Sequence, residues 1–117
     1  MSLNAYQRAR TIAETPRHAE CRLIREITGE MIAARDAGVA GVALMPVLAR
    51  NREMWNVFQT DCSSPGNGLP APVRAGIISL ALWVSRYTSE VVTGKDDIGA
   101  LIDVNRMMIE GLEGTVH

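Results

Sequence analysis

Leu69–Thr93, LPAPVRAGIISLALWVSRYTSEVVT, decides the fold class of this 117-residue chain. Val73, Ile77, Leu80, Val84, Tyr87 and Val91 follow one another at steps of four and three, the spacing that places side chains on one stripe of a helix. Ile78, Leu82 and Trp83 widen the apolar face, so this helix is expected to be covered on more than one side and to form the centre of a bundle. The uncharged run between Arg74 and Arg86 falls far short of the roughly 20 apolar residues that span a bilayer. A membrane helix is excluded for this segment.

Upstream, Thr15-Pro16 pairs a capping hydroxyl with a proline at the first helical position, where its missing N–H costs nothing. Leu23, Ile24, Ile27, Met31 and Ala34 then line one face of a helix running to about Ala37, with Gly38 as its terminator. Gly29 inside it marks either close packing or a weak spot. Residues 38–45, GVAGVALM, fit a buried strand or a helical start, and the helical reading is adopted. Pro46 opens the next helix, spanning 46–61, with Val47, Leu48, Met54, Trp55 and Phe58 as its apolar set. CSSPGNGLPAP, from Cys62, is the densest group of turn formers and reads as a loop.

Downstream, Gly94 ends the long helix and Asp96 or Asp97 caps the last one. Ile98, Leu101, Ile102, Asn105, Met108, Ile109 and Leu112 form its buried stripe, and Gly111 and Gly114 mark its end. A short helix over residues 4–14, with Asn4 as cap, adds an optional fifth. The expected architecture is all-α: one domain over residues 1–117, a compact bundle of four or five helices with short connections.

Twelve basic and 13 acidic residues give a net charge of −1, with neither sign gathered into a block that would mark a nucleic-acid groove or an anionic membrane patch. The cysteines, Cys21 and Cys62, lack CxxC spacing and suit a reducing compartment, so a cytoplasmic location is expected. The N-terminal stretch shows no apolar run of signal-peptide length.

Chemistry finds little footing. His18 and Cys21 stand three apart on a helix, but neither Cys62 nor His117 completes a recognisable zinc spacing. Cys62 follows Asp61, whose charge disfavours a thiolate. Glu26 and Glu30 read as a solvated face with Arg22 within reach of Glu26. No phosphate loop is present, and Ser79, Ser85 and Ser89 have no triad partners. Neither a catalytic centre, a metal nor a cofactor is expected. Asn51 and Asn105, set in apolar stripes, read as structural hydrogen-bonding groups ahead of partner contacts. Trp55 and Trp83 pose the same choice between core anchor and interface residue.

NAYQ (Asn4–Gln7), NREMW (Asn51–Trp55), DCSSPGNGLP (Asp61–Pro70), VRAGIISLALWVSR (Val73–Arg86) and LIDVNRMMIEGL (Leu101–Leu112) together resemble the flagellar biosynthesis regulator FlaF family. The resemblance covers nearly the whole chain. It implies a non-enzymatic cytoplasmic factor in flagellin synthesis and export, acting with a second regulator, FlbT, and binding flagellin as a secretion chaperone. A regulator acting on flagellin messenger RNA is the alternative. Asn51, Arg52, Trp55, Asp61, Asn67, Leu69, Pro70, Arg74, Trp83, Arg86, Asn105 and Arg106 carry over as positions of partner contact or core.

Overall fold

Prolines at helix starts and glycines past helix ends set the boundaries of this chain. The computed structural model describes residues 16–115, with side chains from 19 to 111. Four α-helices result: α1 (Pro16–Asp36), α2 (Met45–Cys62), α3 (Ala71–Val92) and α4 (Gly99–Thr115), with a 3-10 turn, Gly41–Leu44, leading into α2. The fold is all-α, and no strand occurs among the described residues. The helix expected over residues 4–14 and the Thr15 cap lie outside the described residues.

Two helices end in the same way. At Gly38 the backbone turns to φ +76, so that the Val39 N–H reaches back to the Ala34 carbonyl and the Gly38 N–H to that of Arg35, both at 3.0 Å. Gly94, at φ +79, repeats this at the end of α3, with Lys95 N–H on the Glu90 carbonyl at 2.9 Å and Gly94 N–H on that of Val91 at 3.1 Å. Such Schellman closures satisfy carbonyls that a helix end otherwise leaves open, and residues with a Cβ adopt the required conformation at a cost.

Elsewhere the boundaries differ from expectation. Residues 38–45 are not one helix, because a second left-handed glycine, Gly41, breaks the backbone where the 3-10 turn begins. Gly111 does not stop α4, which runs on to Thr115; a glycine in helical conformation weakens a helix by about 1 kcal/mol without ending it. Asp97 rather than Asp96 closes the start of α4, its Oδ1 accepting the Gly99 N–H at 2.8 Å.

The helices form a ring. α1 packs against α2 and α4, α2 against α3, and α3 meets α4 only lightly. The pairs α1/α3 and α2/α4 are therefore the diagonals. The core holds Ile24, Ile27, Met31, Leu48, Trp55, Leu101 and Ile102, all essentially without exposure, and each aliphatic side chain so buried contributes roughly 1.5–3 kcal/mol. Phe58 meets the Trp55 ring edge-on, centroids 5.5 Å apart, a favoured aromatic geometry.

α3 is not the centre that its sequence suggested. It lies on the rim, with Val73 47% and Leu82 51% exposed. Its buried line is Ile77, Ala81, Val84, Thr88 and Val91, against α2. Leu23 of α1, assigned to the core from its spacing, is 38% exposed. No helix of the described residues is long and apolar enough to cross a membrane. Between α1 and α2, Arg50 bonds Glu30 and lies 3.8 Å from Glu26, an exposed cluster of small energetic weight. Glu30, followed by Glu26, holds the Arg50 guanidinium above its ordinary pKa.

Nothing lies within 4 Å of a Cβ built at Gly29, so close packing does not explain that glycine. Gly29→Ala should raise stability by about 1 kcal/mol through helix propensity, whereas Gly38→Ala should lower it by about 1–2 kcal/mol through left-handed strain. Urea denaturation of the two variants checks both signs.

Candidate interaction surface

Indole Nε1 of Trp55 on α2 donates to Asn105 Oδ1 on α4 at 2.9 Å, across the diagonal of the ring. That bond fixes which way the Asn105 amide faces, because an indole N–H can only donate. Asn105 Nδ2 then points to Asn51 Oδ1 at 2.8 Å, to Thr28 Oγ1 at 3.1 Å and to Met31 Sδ at 3.6 Å. The Thr28 hydroxyl in turn donates to the Ile24 carbonyl at 2.6 Å. Three helices thus share one polar knot on the bundle axis. Asn51 must present its oxygen to Asn105, and its Nδ2 is left without a partner.

This knot settles three of the candidate positions. Asn51, Trp55 and Asn105 have 0% exposure, so they are core and have no surface to offer a partner in this fold. Thr28, 4% exposed, was not singled out from the sequence. Its signal was present: position 28 continues the Ile24–Met31 stripe, where a hydroxyl calls for a buried acceptor.

A second group is structural in a different way. Asn67 Nδ2 donates to the Asp61 carbonyl at 3.2 Å, its Oδ1 accepts the Leu69 N–H at 2.9 Å, and Leu69 packs on the core. Asp61, Asn67, Leu69 and the exposed Pro70 are therefore brought together by the α2–α3 loop, whose shape Asn67 sets through both ends of its amide. Cys62 is buried beside this loop.

The remaining candidates face outward to different degrees. Arg52 and Arg74 are half-buried, and Arg74 Nε has no partner. Arg86 and Arg106 are exposed, and Met107 next to Arg106 is 63% exposed. Trp83 is half-buried and stacks on Tyr87, centroids 4.7 Å apart and planes 21° from parallel. Tyr87 in turn donates to the Asp97 carbonyl at 3.1 Å. Burial, then the charges of Asp96 and Asp97, push its phenol above the ordinary tyrosine range, which keeps it a donor.

Helical spacing joins these facts into one surface. Leu82 and Trp83 stand three and four residues beyond Ser79, on either side of it, and Ala75 and Gly76 stand four and three before it. Pro72, Ala75, Gly76, Ser79 and Leu82 are all exposed. The outer face of α3 is thus a floor of small residues with two apolar ridges, and it carries no charge until Arg86. The outer side of α2 is different, with Glu53, Asn56, Val57, Thr60, Asp61 and Ser64 lining a shallow acidic hollow. Among the described residues no group of three or more His, Cys, Asp or Glu side chains is placed to hold a metal.

A family model described as flagellar protein FlaF matches residues 2–112 of the chain. Among curated proteins and among solved structures nothing matches it.

The knot has unequal members. Asn105→Leu should cost about 3 kcal/mol or more, since it strands the Trp55 N–H and the Asn51 amide in the interior. Asn51→Leu should cost about 1 kcal/mol or less, because it also removes the unpartnered Nδ2 and leaves Asn105 with Thr28. Equilibrium unfolding of the two variants measures the difference.

Proposed function

The chain belongs to the flagellar protein FlaF family, matched over residues 2–112, and from that premise we propose that it is a non-enzymatic cytoplasmic factor that binds flagellin as a secretion chaperone. The observation that supports this reading is the solvent-facing side of α3. A helix at the surface ordinarily shows water a charged or polar face. Here the exposed face offers small residues, Leu82 at 51% exposure and the Trp83–Tyr87 stack. Small residues let a second helix approach closely, and ridges of leucine and tryptophan give it apolar contact.

The subunit of a polymer needs its assembly helices covered before export, and helix-against-helix packing on a rigid scaffold does this without turnover. FlbT enters this proposal as a second partner acting on the same process. Regulation of flagellin messenger would instead call for a basic surface, and the net charge of −1 offers it no support.

Gel filtration of the purified chain with monomeric flagellin should give a co-eluting complex. Leu82→Glu should abolish it while changing folding stability by no more than about 0.5 kcal/mol, as for other substitutions at exposed positions. Absence of co-elution, with and without FlbT, counts against the proposal, and RNA binding that weakens steeply with salt would favour the messenger reading.

A further inference from the structure

Glu30 stands six residues before the end of α1 and Arg50 five after the start of α2, and the two bond, so these helices form an antiparallel hairpin. Leu23 lies seven residues before Glu30 and Val57 seven after Arg50, a step of about two turns that returns a side chain to nearly the same side of its helix. Leu23 and Val57 therefore flank one α1–α2 seam, level with each other and about 10 Å beyond the Glu30–Arg50 contact. Both are uncovered, Leu23 at 38% exposure and Val57 at 61%.

The charge around this pair is negative. Glu20 and Glu26 stand three residues before and after Leu23, and Glu53 and Asp61 four before and after Val57, where they line the hollow on α2. Among the described residues no cation pairs with Glu53 or Asp61, and Arg50 is already engaged by Glu30 and Glu26. Arg22, Arg25 and Arg52 stand about 100° or more round their helices from Leu23 and Val57. The seam thus offers an apolar floor between two acidic walls, and it suits a helix with an apolar stripe between two basic flanks.

The chain leading into α1 has that pattern. Tyr6, Ala9 and Ile12 make an apolar stripe at helical spacing, and Arg8 and Arg10 lie on opposite sides of Ala9, about 100° from it each way. Its place fits as well, since Pro16 lies seven residues before Leu23, at the open end of the seam. Residues 13–15 suffice for the turn of a helical hairpin. Residues 4–12 then extend about 12 Å as a helix, the same as Glu53 to Asp61 on α2. A helix this short is marginal in water alone and needs such a surface. The FlaF family match begins at residue 2, so the segment belongs to the matched unit.

We propose that residues 4–12 pack as a helix into the α1–α2 seam, with Tyr6, Ala9 and Ile12 over Leu23 and Val57 and with Arg8 and Arg10 reaching the acids on the two sides. The segment is a fifth element of the bundle, and it leaves the outer face of α3 open. This inference is independent of the flagellin-binding reading.

Hydrogen exchange of the full chain, read by mass spectrometry, tests the packing. Amides of residues 6–12 should exchange about tenfold or more slowly compared with a free peptide of residues 1–15. Val57→Lys should return them to the peptide rate while amides in the middle of α1, α2 and α4 keep theirs, and Arg8→Glu combined with Arg10→Glu should do the same. A photo-cross-linking residue at Ala5, on the edge of the stripe, should join α1 or α2 of its own chain. Exchange at the peptide rate in the unaltered chain would overturn the proposal, as would protection that survives Val57→Lys. A cross-link to α3, or one formed only between two chains, would equally overturn it, and protection that appears only on adding flagellin would assign the segment to that partner instead.

Discussion

An indole N–H has no acceptor role, so the Trp55–Asn105 bond at 2.9 Å can be made in one sense only. From that single polarity the rest of the axial knot follows. Asn105 turns its amide nitrogen to Thr28 and Asn51, and Thr28 has its hydroxyl proton free for Ile24. A slide of α4 by one turn would bury two amides and an indole without partners, at about 1–3 kcal/mol each. Aliphatic packing alone tolerates such slides far better. The knot therefore sets the register of α4 against α1 and α2, while Ile24, Ile27, Leu48, Leu101 and Ile102 supply the bulk of the burial.

A register fixed on the axis frees the outside of α3. That helix is held by a line of small and medium residues against α2 and meets α4 only lightly. Its opposite face is not needed for the fold, and Pro72, Ala75, Gly76, Ser79 and Leu82 are exposed there. Core and surface are thus assigned to different tryptophans, Trp55 inside and Trp83 stacked on Tyr87 at the rim.

Much of this was legible in the sequence because it is local. Pro16 and Pro46 announce helix starts, and Gly38 and Gly94 announce stops, since each acts through its own backbone. Asn105 stood out as an amide in an apolar stripe. What was not legible depends on neighbours. A stripe tells which side of α3 is apolar but not how many helices cover it, so Leu82 read as core. The partner of Asn105 could not be found either, since Thr28 lies 77 residues away. Gly111 misled because a glycine ends a helix only where the following residues turn back to cap it.

The division between an interior Trp55 and a contacting Trp83 is the central claim, and fluorine NMR of the chain labelled with 5-fluorotryptophan tests it most directly. Two resonances report the two sites. On addition of monomeric flagellin the Trp83 signal should shift or broaden while that of Trp55 keeps its position. A shift at Trp55 with Trp83 unchanged would contradict the account.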